Sequence, residues 1–127
     1  MSQEVNEFSQ AIPGMVYQFR VNPDGSWQFF YLSEGIYQLY EISPEAAYAD
    51  YHLINQCILE EDCASYYASL ELASQNRTQW LNEYRICTAS GKLKWLRTQA
   101  LPCPQYDGRV LWNGILIDIT EHKNNEA

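Results

Sequence analysis

The last third of the chain constrains its fold most. Three runs of strand composition, "TQWLNEYRIC", "KLKWLRTQAL" and "RVLWNGILIDI", are parted by breaks containing "TASG" and "PQYDG". Aromatic and β-branched residues between breaks rich in Gly, Pro, Asp and Ser read as strands, and the three together read as an antiparallel meander. The front of the chain supplies two more. Met15 to Val21 alternates apolar and mixed positions, "NPDGS" has turn chemistry with Gly25 available for positive φ, and "WQFFYL" is the aromatic partner strand of a hairpin.

Helical signals lie between these two blocks. Ser43-Pro44-Glu45 sets a capping hydroxyl before a proline suited to the first helical position, so the segment from about 33 to 58 reads as short helices. In "EEDCASYYASLELASQN", Cys63, Tyr66, Tyr67, Leu70 and Ala73 recur at helical spacing behind an acidic first turn that complements the helix dipole. This is the longest expected helix. Two strands, several helices and three strands predict an α+β domain with one five-stranded antiparallel sheet.

At 127 residues, 46% of them apolar, the chain suffices for one core, which predicts a single domain over 1–127. Its expected parts are a flanking helix over 1–13, a core over 14–120 and the start of a connector over 121–127. In the flanking helix Val5, Phe8 and Ile12 recur at helical spacing until Pro13-Gly14. A helix this short is unstable alone in water. Its stripe is therefore expected to cover the exposed sheet face or the same helix of a second copy, which makes Val5, Phe8 and Ile12 the contacts of a two-fold homodimer.

Charge narrows the function. Sixteen acidic against eight basic residues leave a net charge of -8, which opposes binding to nucleic acid or anionic lipid. "MSQEVNEFSQAI" lacks the layout of a signal peptide, and no apolar stretch approaches the roughly 20 residues of a membrane helix. A cytoplasmic location is expected, including the cytoplasmic part of a membrane-associated protein. Cys57, Cys63, Cys87 and Cys103 contain no CxxC pair and are read as free thiols. Glu60, Glu61 and Asp62 are adjacent, so they cannot flank one substrate bond as acid and base and read as a solvated helix start. With no nucleophile motif, phosphate loop or metal-ligand spacing, the domain is not expected to be an enzyme or to hold a metal.

The segment "GILIDITEHK", residues 114–123, changes from buried strand to charged helix within three letters. Side-chain oxygens of Asp118 and Thr120 can accept hydrogen bonds from the open amides of a helix beginning at Glu121. A strand shift would then alter the start or angle of that helix, and these two residues are the candidates for signal transfer.

Glu83-Tyr84-Arg85-Ile86, Gly91, Trp95, Arg97, Asp107-Gly108, Gly114, Asp118-Ile119-Thr120-Glu121 and Lys123 together resemble the C-terminal half of a PAS domain. The resemblance extends over about Phe8 to Lys123 and is looser in front. It implies a sheet covered on one face by short helices and one longer helix, with a cavity between them that can hold a ligand. It also implies that the last strand leads through a helix to an output domain such as a histidine kinase or a cyclic-nucleotide enzyme of a bacterial signalling protein. Leu59-Glu60-Glu61-Asp62 departs from the usual His-Pro-Asp-Asp type sequence, and Ser90-Gly91 stands for Asp-Gly.

Tyr17, Phe29, Tyr31, Tyr66, Tyr84, Trp95 and Trp112 come from elements that would border one core, and Tyr and Trp need polar partners when buried. The candidate cavity lining is Tyr31, His52, Tyr66, Tyr84, Trp95 and Leu116, suited to a small aromatic or heterocyclic ligand. Plain core packing, in a ligand-free dimerisation domain, is the alternative. Arg85 and Arg97 are compatible with either sheet face, meeting a carboxylate ligand on one or Glu83 on the other. Flavin is disfavoured because "INQCILEED" stands where light-sensing relatives carry Asn-Cys-Arg-Phe-Leu-Gln, and Leu116 stands where they carry Gln. Haem is disfavoured because no His lies between Cys63 and Asn76. The cofactor, if any, stays unknown.

Overall fold

The hairpin that opens the fold turns on side-chain chemistry present in its five-residue loop. Strands β1 (Gly14–Val21) and β2 (Trp27–Leu32) are joined where Gly25 adopts φ 87°, a conformation other residues avoid. The Asp24 carboxylate accepts from the Ser26 amide at 2.9 Å and from its hydroxyl at 2.6 Å. The computed structural model describes residues 14–105, 107 and 109–126. The flanking helix expected over 1–13, with Val5, Phe8 and Ile12, lies outside the described residues.

Helices α1 (Gly35–Tyr40), α2 (Pro44–Ala49), α3 (His52–Asn55) and α4 (Glu60–Asn76) follow, then strands β3 (Trp80–Cys87), β4 (Leu93–Pro104) and β5 (Val110–Asp118), and a last helix α5 (Thr120–Glu126). Ser43 caps α2 as its position predicts, its hydroxyl accepting from the Ala46 amide at 3.2 Å with Pro44 behind it. The five strands form one antiparallel sheet in the order β2-β1-β5-β4-β3. The first strand therefore pairs with the last, and β4 and β5 are both interior.

Helices α1 to α4 cover one sheet face. Ile36, Leu39 and Tyr40 of α1 and Tyr66, Leu70 and Ala73 of α4 bury against Phe19, Trp80, Tyr84, Ile86, Leu96, Trp112 and Leu116 from the strands. Gly35 lets α1 approach the sheet, since a Cβ there would stand 1.9 Å from the Gly14 carbonyl oxygen. Gly114 does the same inside the core, where a Cβ would lie 2.6 Å from the Tyr17 ring and 2.7 Å from Ala100 Cβ.

One irregularity decides which side chains of β2 reach that core. The β1–β2 register runs Tyr17↔Leu32, Gln18↔Tyr31 and then Phe19↔Phe29, so Phe30 is an extra residue in β2. A bulge of one residue reverses the alternation beyond it. Trp27 and Phe29 pack on the core before the bulge and Leu32 after it, while Tyr31 is turned outward and 51% exposed. At the other edge, β3 is blunted rather than left open. The Leu59 amide donates to the Arg85 carbonyl, the Cys87 amide to the Cys57 carbonyl, and the Arg85 amide to Asp62 Oδ2 at 2.9 Å.

Candidate functional site

Between helices and sheet lies a cavity of about 30 Å³. Burial sets its polar chemistry. Tyr17 OH and Thr98 Oγ1 share a short hydrogen bond, and Tyr40 OH and Tyr84 OH stand 3.3 Å apart. The Tyr66 ring meets the Tyr84 ring edge-on, with centroids 4.7 Å apart. Desolvation is the largest influence on all four phenols. It drives Tyr40, Tyr66 and Tyr84 well above the usual tyrosine range and raises Tyr17 against the opposing pull of Thr98. All four therefore remain neutral, able both to donate and to accept.

Among the expected lining residues, Tyr66, Tyr84 and Leu116 do border the cavity. Tyr31 does not, because the bulge at Phe30 turns it outward. Trp95 does not, because β3 and β4 pair Tyr84 with Leu96 and Arg85 with Trp95, which sends Leu96 inward and Trp95 to the outer face. His52 does not, because the short α3 buries Ile54 and Asn55 and leaves His52 exposed with its ring beside Tyr51 at 4.2 Å. Tyr40, Trp27 and Thr98 are among the further lining residues and had not been singled out. The spacing of Ile36, Leu39 and Tyr40 in "GIYQLY" and the alternation Leu96, Thr98, Ala100 in "LRTQA" are the signals that carry two of them.

A volume of about 30 Å³ is that of a water molecule or two, whereas small-molecule pockets run to about 300–1,000 Å³. The walls as they stand do not fit a flavin or a haem. Beside the cavity is an open groove of about 570 Å³ between the β1–β2 turn, the C-terminal half of α4 and the start of β5. Trp27 borders both spaces. Its indole stacks on Phe19 with ring centroids 4.2 Å apart and 9° between planes, and so divides them. Among the described residues no three His, Cys, Asp or Glu side chains are grouped to hold a metal, and no helix is long and apolar enough to cross a membrane.

The outer face carries the charges. Arg97 donates to Glu83 Oε2 at 2.8 and 3.1 Å, the cross-strand pair that its register with Glu83 requires. Arg85 grips Asp62 through two bonds of 2.7 and 3.0 Å while lying 5.5 Å from the Trp95 ring centre. Asp62 is therefore a paired, largely covered side chain, unlike the solvated helix start expected of it, and the Arg85 hydrogen bonds hold its carboxyl below the usual range.

The strand-to-helix junction joins this surface. The Asp118 carboxylate accepts from the Thr120 amide at 2.9 Å and from the Thr120 hydroxyl at 2.5 Å. Helix α5 thus begins at Thr120, one residue earlier than expected. The Trp95 amide donates to Thr120 Oγ1 at 2.9 Å, and the Ile119 amide to the Trp95 carbonyl at 2.9 Å. One turn on, Lys123 Nζ pairs with Glu83 at 2.8 Å and lies 4.9 Å from the Trp95 ring centre. Lys123 first and Arg97 second hold Glu83 below its usual range.

A five-stranded antiparallel sheet with helices on one face, a small tyrosine-lined void beneath them and a helix clamped to the end of the last strand defines a single-sheet α+β cavity module. A family model described as the PAS fold matches residues 29–116, and the chain belongs to that family. Solved structures agree on the fold. A sensory box histidine kinase/response regulator from Burkholderia thailandensis E264 is 19% identical with a TM-score of 0.71, over 98% of this chain and 90% of that one. The domain of a putative light and redox sensing histidine kinase from Haloarcula marismortui is 19% identical with a TM-score of 0.72, over 94% and 100%. The N-terminal domain of a diguanylate cyclase with PAS/PAC sensor from Marinobacter aquaeolei is 17% identical with a TM-score of 0.67, over 85% and 98%. No curated protein matches the chain.

Proposed function

We propose that this domain is a cytoplasmic sensory module of a bacterial signalling protein, which responds to a small ligand or a partner and relays the change through β5 and α5 to an output domain such as a histidine kinase. One observation carries the reading. Thr98 and Leu116, paired across β4 and β5, face the cavity, while Trp95 and Asp118, a few residues along the same two strands, hold the start of α5. A shift of either strand at the cavity must therefore move or strain the bonds that begin the helix. That similar folds occur in histidine kinases and a diguanylate cyclase supports an output of this kind. The domain itself carries no catalytic step in this account.

The polar content of the cavity favours a small ligand with an aromatic or heterocyclic ring and one or two polar atoms, admitted by movement of Trp27. A second reading, a ligand-free dimerisation domain, is favoured by the small volume and by apolar residues open on the outer face. Val16 and Ile115, paired across β1 and β5, are 50% and 40% exposed. This reading takes with it the homodimer expected through Val5, Phe8 and Ile12, which lie outside the described residues. Native mass spectrometry of freshly purified protein separates the two readings, since a bound small mass supports the sensor and its repeated absence the scaffold. The relay is tested in the full-length protein by Asp118→Ala. Output activity is expected to become locked or unregulated while the thermal midpoint moves by only a few degrees, the scale of the roughly 1 kcal/mol carried by a helix cap. Regulation that persists untouched would show that the signal leaves by another route.

A further inference from the structure

Cys57 and Cys87 face each other at the edge of the sheet. The segment after α3 runs antiparallel to β3, with Ile58 opposite Ile86 in an isolated bridge. The Cys87 amide donates to the Cys57 carbonyl at 2.9 Å and the Leu59 amide to the Arg85 carbonyl at 3.0 Å, which sets Cys57 directly opposite Cys87. Residues so opposed project to the same side, with Cβ atoms about 4.5–5.5 Å apart. Ile58 and Ile86 are buried in the core; Cys87 is exposed, and Cys57 is half-buried against the core cluster.

A disulfide needs Cβ atoms about 3.5–4.5 Å apart, so a small inward movement of one strand end suffices. The ladder ends at Cys57, whose own amide turns away to the Ile54 carbonyl. The bonds given up are weak, Cys57 Sγ to the Leu53 carbonyl at 3.3 Å and Cys87 Sγ to the Thr88 carbonyl at 3.7 Å.

We propose that Cys57 and Cys87 are an intramolecular oxidation site, converted by a peroxide into a Cys57–Cys87 disulfide. The exposed Cys87 thiolate attacks one peroxide oxygen and breaks the O–O bond; the departing oxygen takes up a proton, and Cys87 becomes a sulfenic acid. Cys57 then loses its proton, and its sulfur displaces hydroxide from the sulfenic sulfur, the two leaving as water. Two thiols are oxidised and one peroxide is reduced. Burial and the neighbouring Cys87 thiol hold Cys57 above the usual thiol range, so the second step quickens as pH rises.

The other two thiols do not compete. Cys63 lies in the first turn of α4, off the ladder that sets Cys57 opposite Cys87. Cys103 lies ten positions along β4 from Leu93, the register partner of Cys87, which is about 33 Å of strand. The bridge would tie the α3–α4 connection to β3, and Ile54, Tyr66 and Tyr84 from these elements all border the cavity. The oxidation stands whether or not the cavity takes a ligand.

The test treats the whole protein with hydrogen peroxide, alkylates the remaining thiols under denaturing conditions and maps the peptides by mass. The expected result is a fall from four reactive thiols to two, with one cross-linked pair carrying Cys57 and Cys87, restored by dithiothreitol and formed faster at higher pH. Cys57→Ser is expected to leave a sulfenic acid on Cys87 that dimedone traps. Retention of all four thiols, over-oxidation of Cys87 without a bridge, bridging through Cys63 or Cys103 instead, or a Cys57–Cys87 bridge formed as fast in urea-unfolded protein would each overturn the proposal.

Discussion

The backbone amide of Trp95 donates to the hydroxyl oxygen of Thr120 at 2.9 Å, so an interior strand and the first residue of the last helix are bonded directly. The same hydroxyl lies 2.5 Å from Asp118, and the Trp95 ring lies beneath Lys123 of that helix. The helix start therefore depends on β4 as well as on the strand that precedes it.

Thr120→Val keeps the shape of the side chain and removes both hydroxyl bonds. The expected cost is about 1–3 kcal/mol, from an amide of Trp95 left without its acceptor and the lost hydroxyl bond to Asp118. Amide exchange should rise over residues 119–123 and at Trp95, with β3 unchanged. Equal acceleration in β3 would show that Thr120 supports the whole domain rather than the junction.

Gly114→Ala places a methyl 2.6 Å from the ring of Tyr17. Overpacking of this kind costs about 1–3 kcal/mol and should lower the denaturant midpoint. Tyr17→Leu in the same chain relieves the clash, so the double variant should lose less than the sum of the two singles. Strict additivity would mean that the glycine serves the backbone and not the ring.

Asp62 and Glu83 both have folded-state carboxyls held below their unfolded values, by Arg85 in one case and by Lys123 and Arg97 in the other. A depressed carboxyl contributes stability that is present above the unfolded pKa of about 4 and is lost as pH falls through the folded value. Stability should therefore decline below about pH 4, and Asp62→Asn or Glu83→Gln should each flatten that acid limb. An unchanged slope in both variants would contradict the ion pairs as drawn.

Trp27→Ala removes the partition between the cavity of about 30 Å³ and the groove of about 570 Å³. The variant should be less stable but should regain thermal stability when indole is added, as a cavity opened by truncation binds an apolar probe of matching shape. The parent should not respond. A response of both proteins to indole would place the probe elsewhere.

Much of this fold is legible in the residues, because each element carries its own local signal. Turn chemistry marks the three hairpin loops, Ser43-Pro44 marks α2, and the Cys63 to Ala73 periodicity marks α4. The cavity was harder, because facing depends on register. Tyr31 shares the parity of Phe29 in sequence, and only the extra residue at Phe30, fixed by pairing with β1, turns it away. Trp95 neighbours Leu96 in a run where both are apolar, so composition does not choose between them; the pairing of Tyr84 with Leu96 does. His52 lies on a helix of four residues, too short for its apolar phase to be read. The Asp118–Thr120 junction needed no such pairing, since both partners are two residues apart.

The relay from cavity to helix is tested most directly by comparing amide exchange in two core variants of this domain. Thr98→Val breaks the bond to Tyr17 inside the cavity, leaving a buried hydroxyl unpaired at about 1–3 kcal/mol. Ile58→Ala, in the α3–α4 connection bridged to the edge strand β3 at Ile86, is a control expected to be at least as destabilising, at about 2–5 kcal/mol. After correction for global stability, the account predicts faster exchange across residues 120–126 in Thr98→Val and no such change in Ile58→Ala. Identical protection of these residues in both variants would contradict it.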